Sequence, residues 1–324
     1  MSQLDSIRAP VKKEMAEFER YFSQTMKSNI PLLRIILNYI LRRKGKQMRP
    51  MLVLLSARVY GEIDEAAFVA ATLIELLHTA TLVHDDVVDS AEERRGALSI
   101  NALWNSKIAV LTGDYMLSRG LLISVEKGRY DMLEIVSEAV RSMAEGELLQ
   151  LQRSRKPNLT EEDYFRIIEM KTAALIAACT TCGAISVTND SDTLFLMKEL
   201  GESIGIAFQI RDDILDYEAK GLSGKAPGND IKEKKLTLPL IHALRVTSNG
   251  NRRKILGIVR SKKKSRADID QVTDFVHKNG GIDYALHMMH SYRDKALAII
   301  ERLPEGEARD SLKSFVHYTT ARKK

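Results

Sequence analysis

Leu82-Val83-His84-Asp85-Asp86-Val87-Val88-Asp89 and Ile206-Ala207-Phe208-Gln209-Ile210-Arg211-Asp212-Asp213-Ile214-Leu215-Asp216 place aspartates at i, i+1 and i+4 behind an apolar run. On an α-helix, residues i and i+4 lie one turn apart on one face, so the outer aspartates of each cluster point the same way. A short acidic run ordinarily marks a solvated surface. Here the apolar context argues otherwise, because carboxylates in such surroundings are costly unless paired or bound to metal. Two such groups facing each other make a cage of hard oxygen ligands that suits Mg²⁺, with substrate phosphates completing the octahedra.

Working outward, helix signals dominate. Pro31-Leu32-Leu33-Arg34-Ile35-Ile36-Leu37 starts one helix with proline in its first turn. A second is expected from about Pro50 to Tyr60, ended by Gly61, and a third from near Asp64. The third carries a packing stripe of Leu73, Leu76, Leu77, Ala80 and Val83 and a polar stripe of Glu75, His78, Asp85, Asp86 and Asp89. Ser90 to Ser99 reads as a basic loop. Helices follow near Val110–Val125 and Asp131–Gln152, with a break at 156–158. Thr160 followed by Glu161, Glu162 and Asp163 is a helix start with carboxylates in its first turn.

From Leu200 to Tyr217, Gln209, Asp212, Asp213 and Asp216 share one face with Gly201 and Gly205. Glycine inside a helix costs about 1 kcal/mol against alanine, so close approach by a neighbour is the expected reason. The Lys- and Gly-rich loop from Gly221 to Gly228 is placed to close over phosphates, and the rest of the chain reads as further helices. No alternating strand run and no internal repeat is evident. The fold expected is an all-α bundle with the acidic helices facing across a central cavity.

The 324 residues, 44% hydrophobic and 28% charged, fit a globular chain, and one large helical domain is as admissible as two. No run of about 18 apolar residues occurs, so no transmembrane segment is expected, and the first residues lack a secretory pattern. A cytoplasmic enzyme is the expectation. The net charge of +6 lies partly in 262–264 and 322–324, read as solvated helix surface; without an aromatic-interleaved basic motif no nucleic-acid partner is expected. Cys179-Thr180-Thr181-Cys182 sits in an alanine-rich run and reads as small packing residues rather than a redox pair.

Cations suited to a diphosphate accompany the carboxylates. Lys46 and Arg49, in Gly45-Lys46-Gln47-Met48-Arg49-Pro50, stand at a helix start, where backbone N–H groups also favour anions. Arg94 and Arg95 follow the first cluster, and arginine binds phosphate in bidentate fashion. Lys171, Lys225 and Lys235 accompany the second.

With these motifs in hand, the chain resembles the trans-isoprenyl diphosphate synthases, specifically the bacterial long-chain polyprenyl type. GKQMRP resembles the family's isopentenyl diphosphate motif, and HTATLVHDDVVDSAEERRG its first aspartate-rich region. MKTAALI, GIAFQIRDDILDY and KKLTLPLIHAL resemble the later motifs, in family order, so that the likeness runs from Gly45 to the C-terminus. The resemblance implies a single isoprenoid synthase-type domain over residues 1–324. It implies that Lys46, Arg49, His78 and Arg95 hold isopentenyl diphosphate, and that Arg94, Lys171, Thr172, Gln209, Lys225 and Lys235 contact an allylic diphosphate, with farnesyl diphosphate as primer. Asp85, Asp89 and Asp212 would be the Mg²⁺ ligands, with Asp86, Asp213 and Asp216 supporting them, in a cluster of about three ions with substrate bound. Gln47 departs from the family's usual arginine, and His84 is read as either a ligand or a structural neighbour.

The implied reaction is 1′–4 condensation of isopentenyl diphosphate onto the allylic partner, in which Thr172 and Gln209 orient the leaving group or stabilise the cation. Chain length is expected to follow cavity depth along the first acidic helix, set at Ala80, Thr81 and Leu77, where short-chain members place bulky aromatics. One helix turn of about 5.4 Å roughly matches an isoprene unit, so the lack of a bulky residue at Ala80 lets the chain grow by several units; a product of about six to nine units is expected, and the resemblance implies about eight. A homodimer, transient membrane contact at product release and use of the product in a quinone side chain are further implications. The alternatives are a shorter-chain farnesyl or geranylgeranyl diphosphate synthase, the silent subunit of a heteromeric synthase, which would have lost its aspartates, and a terpene cyclase, whose second metal motif differs from the one present.

Overall fold

The computed structural model describes residues 3–43, 45–94, 96–154, 159–218 and 228–321. Arg95, Lys225, the break at 156–158, most of the 221–228 loop and the basic 322–324 end lie outside them. Among the described residues the chain is all-α apart from a hairpin of two-residue strands, Glu93–Arg94 against Ala97–Leu98, in the stretch expected to be a plain loop. A hairpin this short has no alternating run to reveal it. Gly96, at φ +71°, takes the left-handed conformation that its turn requires.

The fold comprises two compact units, Met1–Val140 with Ala177–Lys198 and Leu303–Leu312, and Arg141–Ile176 with Glu199–Arg302 and Lys313–Lys324. In the first unit the helix Glu65–Val88 packs against Met48–Tyr60 and Ser106–Glu126. Its N-cap is Asp64, whose carboxylate accepts from the Ala66 N–H, as the sequence predicts. Leu73, Leu76, Leu77, Ala80 and Val83 are buried, but so are Thr72, His78 and Asp86 on the polar stripe. The helix is therefore enclosed on nearly every side, and its polar groups are interior groups needing partners.

Met48–Tyr60 begins two residues ahead of the expected Pro50. Gln47 caps it in the left-handed region at φ 49°, an unusual place for a residue with a Cβ. Pro31–Arg42 starts at its proline, burying Ile36 and Leu37. Cys179 and Cys182 are fully buried free thiols. Burial pushes the Cys179 thiol up to about 12, against a smaller opposing effect of Arg49, so the pair serves as packing.

In the second unit, Thr160 and Asp163 form a reciprocal capping box at the start of Glu161–Ile168. That helix runs into a π-helical turn, Glu169–Ala173, in which the Ala174 N–H reaches back five residues to the Glu169 carbonyl. Ser191–Tyr217 starts nine residues earlier than the sequence suggested and crosses this turn closely. A Cβ on Gly205 would lie 2.5 Å from the Ala173 Cα, a backbone clash that no rotamer change relieves, so the expected close approach is real. Tyr164, Ile168, Ala173, Ile206, Ile210, Ile214, Leu238 and Met289 make one buried cluster at this crossing. The 262–264 lysines lie in a turn between Asn249–Arg260 and Arg266–Lys278, not on a helix face.

Contrary to the composition-based expectation, three helices among the described residues are long and apolar enough to cross a membrane: Glu65–Val88, Ser106–Glu126 and Glu161–Ile185, the last counted through the π turn. Their most apolar windows are 67%, 39% and 67% buried inside the protein, so the first and third spend that character on the core.

Candidate functional site

In the first unit the aspartate helix ends inside its own acidic cluster. Asp89 is its C-cap, and the Asp89 N–H donates to the Asp85 carbonyl at 2.8 Å, which preserves the one-turn spacing of the outer carboxylates. Asp85 and Asp89 are exposed, whereas Asp86 is 3% exposed. A buried carboxylate needs a donor, and the Arg94 Nε supplies one to Asp86 Oδ1 at 2.6 Å. The hairpin is what brings Arg94 there. Lys46 and Arg49 flank the strained Gln47 at the start of Met48–Tyr60, and His78, 8% exposed, stands on the helix packed beside it. Lys46 is exposed and Arg49 half-buried.

His84 packs against the helix Ser106–Glu126. Its Nε2 lies 3.2 Å from the Val110 carbonyl and 3.5 Å from Asp114 Oδ1, and its ring occupies the space a side chain at Gly113 would need. Ala80 is fully buried, Leu77 is 3% exposed, and Thr81 donates to the His78 carbonyl at 2.8 Å.

In the second unit, Asp213 is 5% exposed and receives two donors: the Tyr164 hydroxyl at 2.6 Å on Oδ2 and the Gln209 Nε2 at 2.9 Å on Oδ1. The Thr172 hydroxyl donates to Gln209 Oε1 at 2.8 Å. Thr172 thus orients the amide that orients the carboxylate. Burial, reinforced by the charge of Asp230, pushes Asp213 up to about 8 despite these hydrogen bonds. Asp216 does something different: its two oxygens accept the Asn229 and Asp230 N–H groups at 3.0 and 2.9 Å. It ties the short helix Asn229–Lys232 to the end of Ser191–Tyr217.

Lys171 Nζ donates to Gln150 Oε1 at 3.0 Å and pairs with Glu147; Lys235 pairs with Glu233 at 2.5 Å. Lys171, Thr172, Gln209, Asp213, Asp230 and Lys235 line one cleft with about 710 Å³ of empty space, part of it open to solvent.

Two titratable residues lining this cleft escaped the sequence reading. Asp230 is brought in only by the Asp216 cap, and burial together with Asp216 raises it to about 6. Tyr164, 49 residues from Asp213 in sequence, carried one signal: a tyrosine in the row with Ile167 and Ile168, whose hydroxyl must find a partner once buried.

The donor chemistry of both clusters fits a hard divalent cation. Among the described residues no three His, Cys, Asp or Glu side chains converge into a ready-made metal cage. Asp86, Asp213 and Asp216 each accept hydrogen bonds from protein donors.

Comparison with known proteins gives a consistent picture. Residues 30–276 match the family model described as polyprenyl synthetase. The octaprenyl diphosphate synthase of Escherichia coli is 34% identical over 320 residues, 98% of this chain and 99% of that one. The polyprenyl synthase of Caulobacter crescentus, solved with calcium and isoprenyl diphosphate, superposes with a TM-score of 0.90 at 32% identity, covering 99% and 98% of the two chains. The geranylgeranyl pyrophosphate synthase of Bacteroides thetaiotaomicron is 37% identical with a TM-score of 0.85, covering 99% and 100%.

Proposed function

Because this chain belongs to the polyprenyl synthetase family, shares its all-α isoprenoid synthase fold and is a prenyltransferase, we propose that it is a long-chain all-trans polyprenyl diphosphate synthase. It condenses isopentenyl diphosphate 1′–4 onto an allylic diphosphate, with farnesyl diphosphate as primer and a product of about eight isoprene units, a length supported by the likeness to an octaprenyl diphosphate synthase and by the small side chain at Ala80. The observation that carries this reading is the cleft of the second unit, where two lysines, a threonine and a glutamine surround an acidic cluster whose inner carboxylate is locked by Tyr164 and Gln209. The two compact units act as one catalytic domain over residues 1–324, in the cytoplasm.

The roles follow from chemistry. Lys46, Arg49, His78 and Arg95 hold isopentenyl diphosphate, while Arg94, Lys171, Thr172, Gln209, Lys225 and Lys235 take the allylic diphosphate. Arg95 and Lys225 lie outside the described residues and stand on the sequence alone. Asp85, Asp89 and Asp212 would hold Mg²⁺, which when bound with substrate supplies Lewis-acid stabilisation of the departing diphosphate. As the allylic C1–O bond breaks, the diphosphate leaves with the electron pair, and Lys171 and Lys235 neutralise its growing charge. The isopentenyl double bond then attacks C1, and the proton lost from its C2 goes to the released diphosphate, so no side-chain base is needed. Thr172 and Gln209 present oriented dipoles to the cation, and apolar walls keep water from quenching it.

The decisive experiment incubates the purified chain with farnesyl diphosphate, labelled isopentenyl diphosphate and Mg²⁺, and reads product lengths. A ladder ending near eight units is expected. A stop at four would favour the shorter-chain reading, which the 37% identity to a geranylgeranyl synthase supports. No incorporation would favour the silent-subunit reading.

The chain is also proposed to act as a homodimer through the helix Ser106–Glu126. Its Val110, Leu111, Leu121, Leu122 and Val125 are 39–57% exposed, an apolar face that a second copy would cover. Sedimentation at twice the chain mass is expected; a monomer at working concentration would remove the proposal.

A further inference from the structure

The chain has no aspartate or glutamate between Arg20 and Gly61, a window that holds nine cations: Arg20, Lys27, Arg34, Arg42, Arg43, Lys44, Lys46, Arg49 and Arg58. Some are committed elsewhere. Arg20 pairs with Glu17, Arg58 with Glu14 and Glu62, Arg43 lies over the Tyr39 ring, and Lys46 and Arg49 belong to the diphosphate site proposed above. Lys27, Arg34 and Arg42 stand in no ion pair among the described residues and are exposed.

The helix Pro31–Arg42 projects from this window with an apolar outer side. Ile36 and Leu37 anchor its inner side at 2% and 1% exposure, while Ile30, Leu32 and Ile35 are 61%, 45% and 57% exposed. Ile30 is the N-cap residue, not a frayed end: its N–H donates to Ser28 Oγ, and its carbonyl accepts the Arg34 N–H. At the other end Tyr39 donates to the Leu98 carbonyl, bringing in a further apolar side chain that is 49% exposed.

The exposed Ile30, Leu32 and Ile35, with Lys27, Arg34 and Arg42 as the charged residues of their own stretch, fit neither a solvated surface nor the Ser106–Glu126 face, where Asp114 and Glu126 share the helix with the apolar residues; at the far end Leu98 stands opposite the exposed Glu93. We propose that the Pro31–Arg42 face docks on an anionic lipid surface. Ile30, Leu32 and Ile35 enter the headgroup–acyl boundary, and Lys27, Arg34 and Arg42 meet lipid phosphates. No carboxylate within residues 21–60 opposes the contact, and Glu93 lies at the Leu98 end, away from the residues proposed to insert. This inference does not depend on the length of the product.

The test is flotation of the full-length protein with vesicles of equal parts phosphatidylglycerol and phosphatidylcholine, against vesicles of phosphatidylcholine alone. Binding to the mixed vesicles is expected, weakening as salt is added. Arg34→Gln/Arg42→Gln should lower the partition coefficient about fivefold per arginine. Leu32→Ser/Ile35→Ser should lower it about tenfold or more. Both double variants should retain turnover in solution, which reports that they are folded. Equal binding to neutral vesicles, or double variants that partition like the parent, would overturn the proposal. So would a change in sedimenting mass of Leu32→Ser/Ile35→Ser in lipid-free buffer, because the face would then meet another copy of the chain.

Discussion

Asp212→Ala is expected to lower incorporation of isopentenyl diphosphate by on the order of 10³-fold or more, with no recovery at raised Mg²⁺. The size of the effect follows from the position. Asp213 beside it is committed to Tyr164 and Gln209, and Asp216 to two backbone N–H groups, so neither can turn to replace a lost ligand without breaking its own bonds. Asp216→Asn makes the informative contrast. It keeps one acceptor oxygen for the amides of residues 229 and 230 and should cost only about 10–100-fold, the range of a supporting group. The measurement is kcat and KM for both diphosphates across a Mg²⁺ titration. Equal losses in the two variants would mean that Asp216 is itself a ligand and that its capping of Asn229–Lys232 is incidental.

The second large effect is expected at Ala80. Ala80→Phe should end the product ladder several isoprene units early while leaving the first condensation intact. Ala80 is fully buried on the helix that ends in Asp85 and Asp89, a little more than one turn upstream of the cluster. Each turn of that helix spans about 5.4 Å, roughly an isoprene unit, so an aromatic ring one turn up closes the path after a small number of additions. Overfilling a packed position costs about 1–3 kcal/mol, so a thermal melt must accompany the product analysis. An active, folded variant with an unchanged ladder would make Ala80 a packing residue only, and the depth limit would have to lie elsewhere, at Leu77 or beyond.

What the sequence disclosed and what it withheld divide along one physical line. Features set by neighbours within one turn were legible: the i, i+4 aspartates and the helix starts near Asp64, at Thr160 and at Pro31. Gly205 was legible as a site of close approach because glycine in a helix demands a reason, although Ala173 as the neighbour was not. The partners of the buried carboxylates stayed hidden. Tyr164 meets Asp213, and Arg94 meets Asp86, through tertiary packing and a hairpin too short to leave a pattern. The π turn was hidden for the same reason: its extra residue is stabilised by the helix crossing over it, while the local residues are ordinary helix formers. The three membrane-length helices were missed because a strict apolar run is too narrow a criterion when one or two charges interrupt it.

The π turn at Glu169–Ala173 carries a consequence for how the protein can vary. A widened turn is an inserted residue absorbed without breaking the helix, and it uncouples the angular phase of the stretch before it from the stretch after. Upstream, Tyr164 is aimed at Asp213; downstream, Ala174–Ile185 carries the packed cysteines. Deleting one residue here would let the wide turn close to a regular helix with both stretches kept in phase, whereas forcing the turn to α-helix with the residue retained would rotate one stretch against the other by about 100°, the angle of a single helical residue. The turn therefore acts as a coupling joint, through which the reactive half of a helix and its structural half can each be altered without realigning the other.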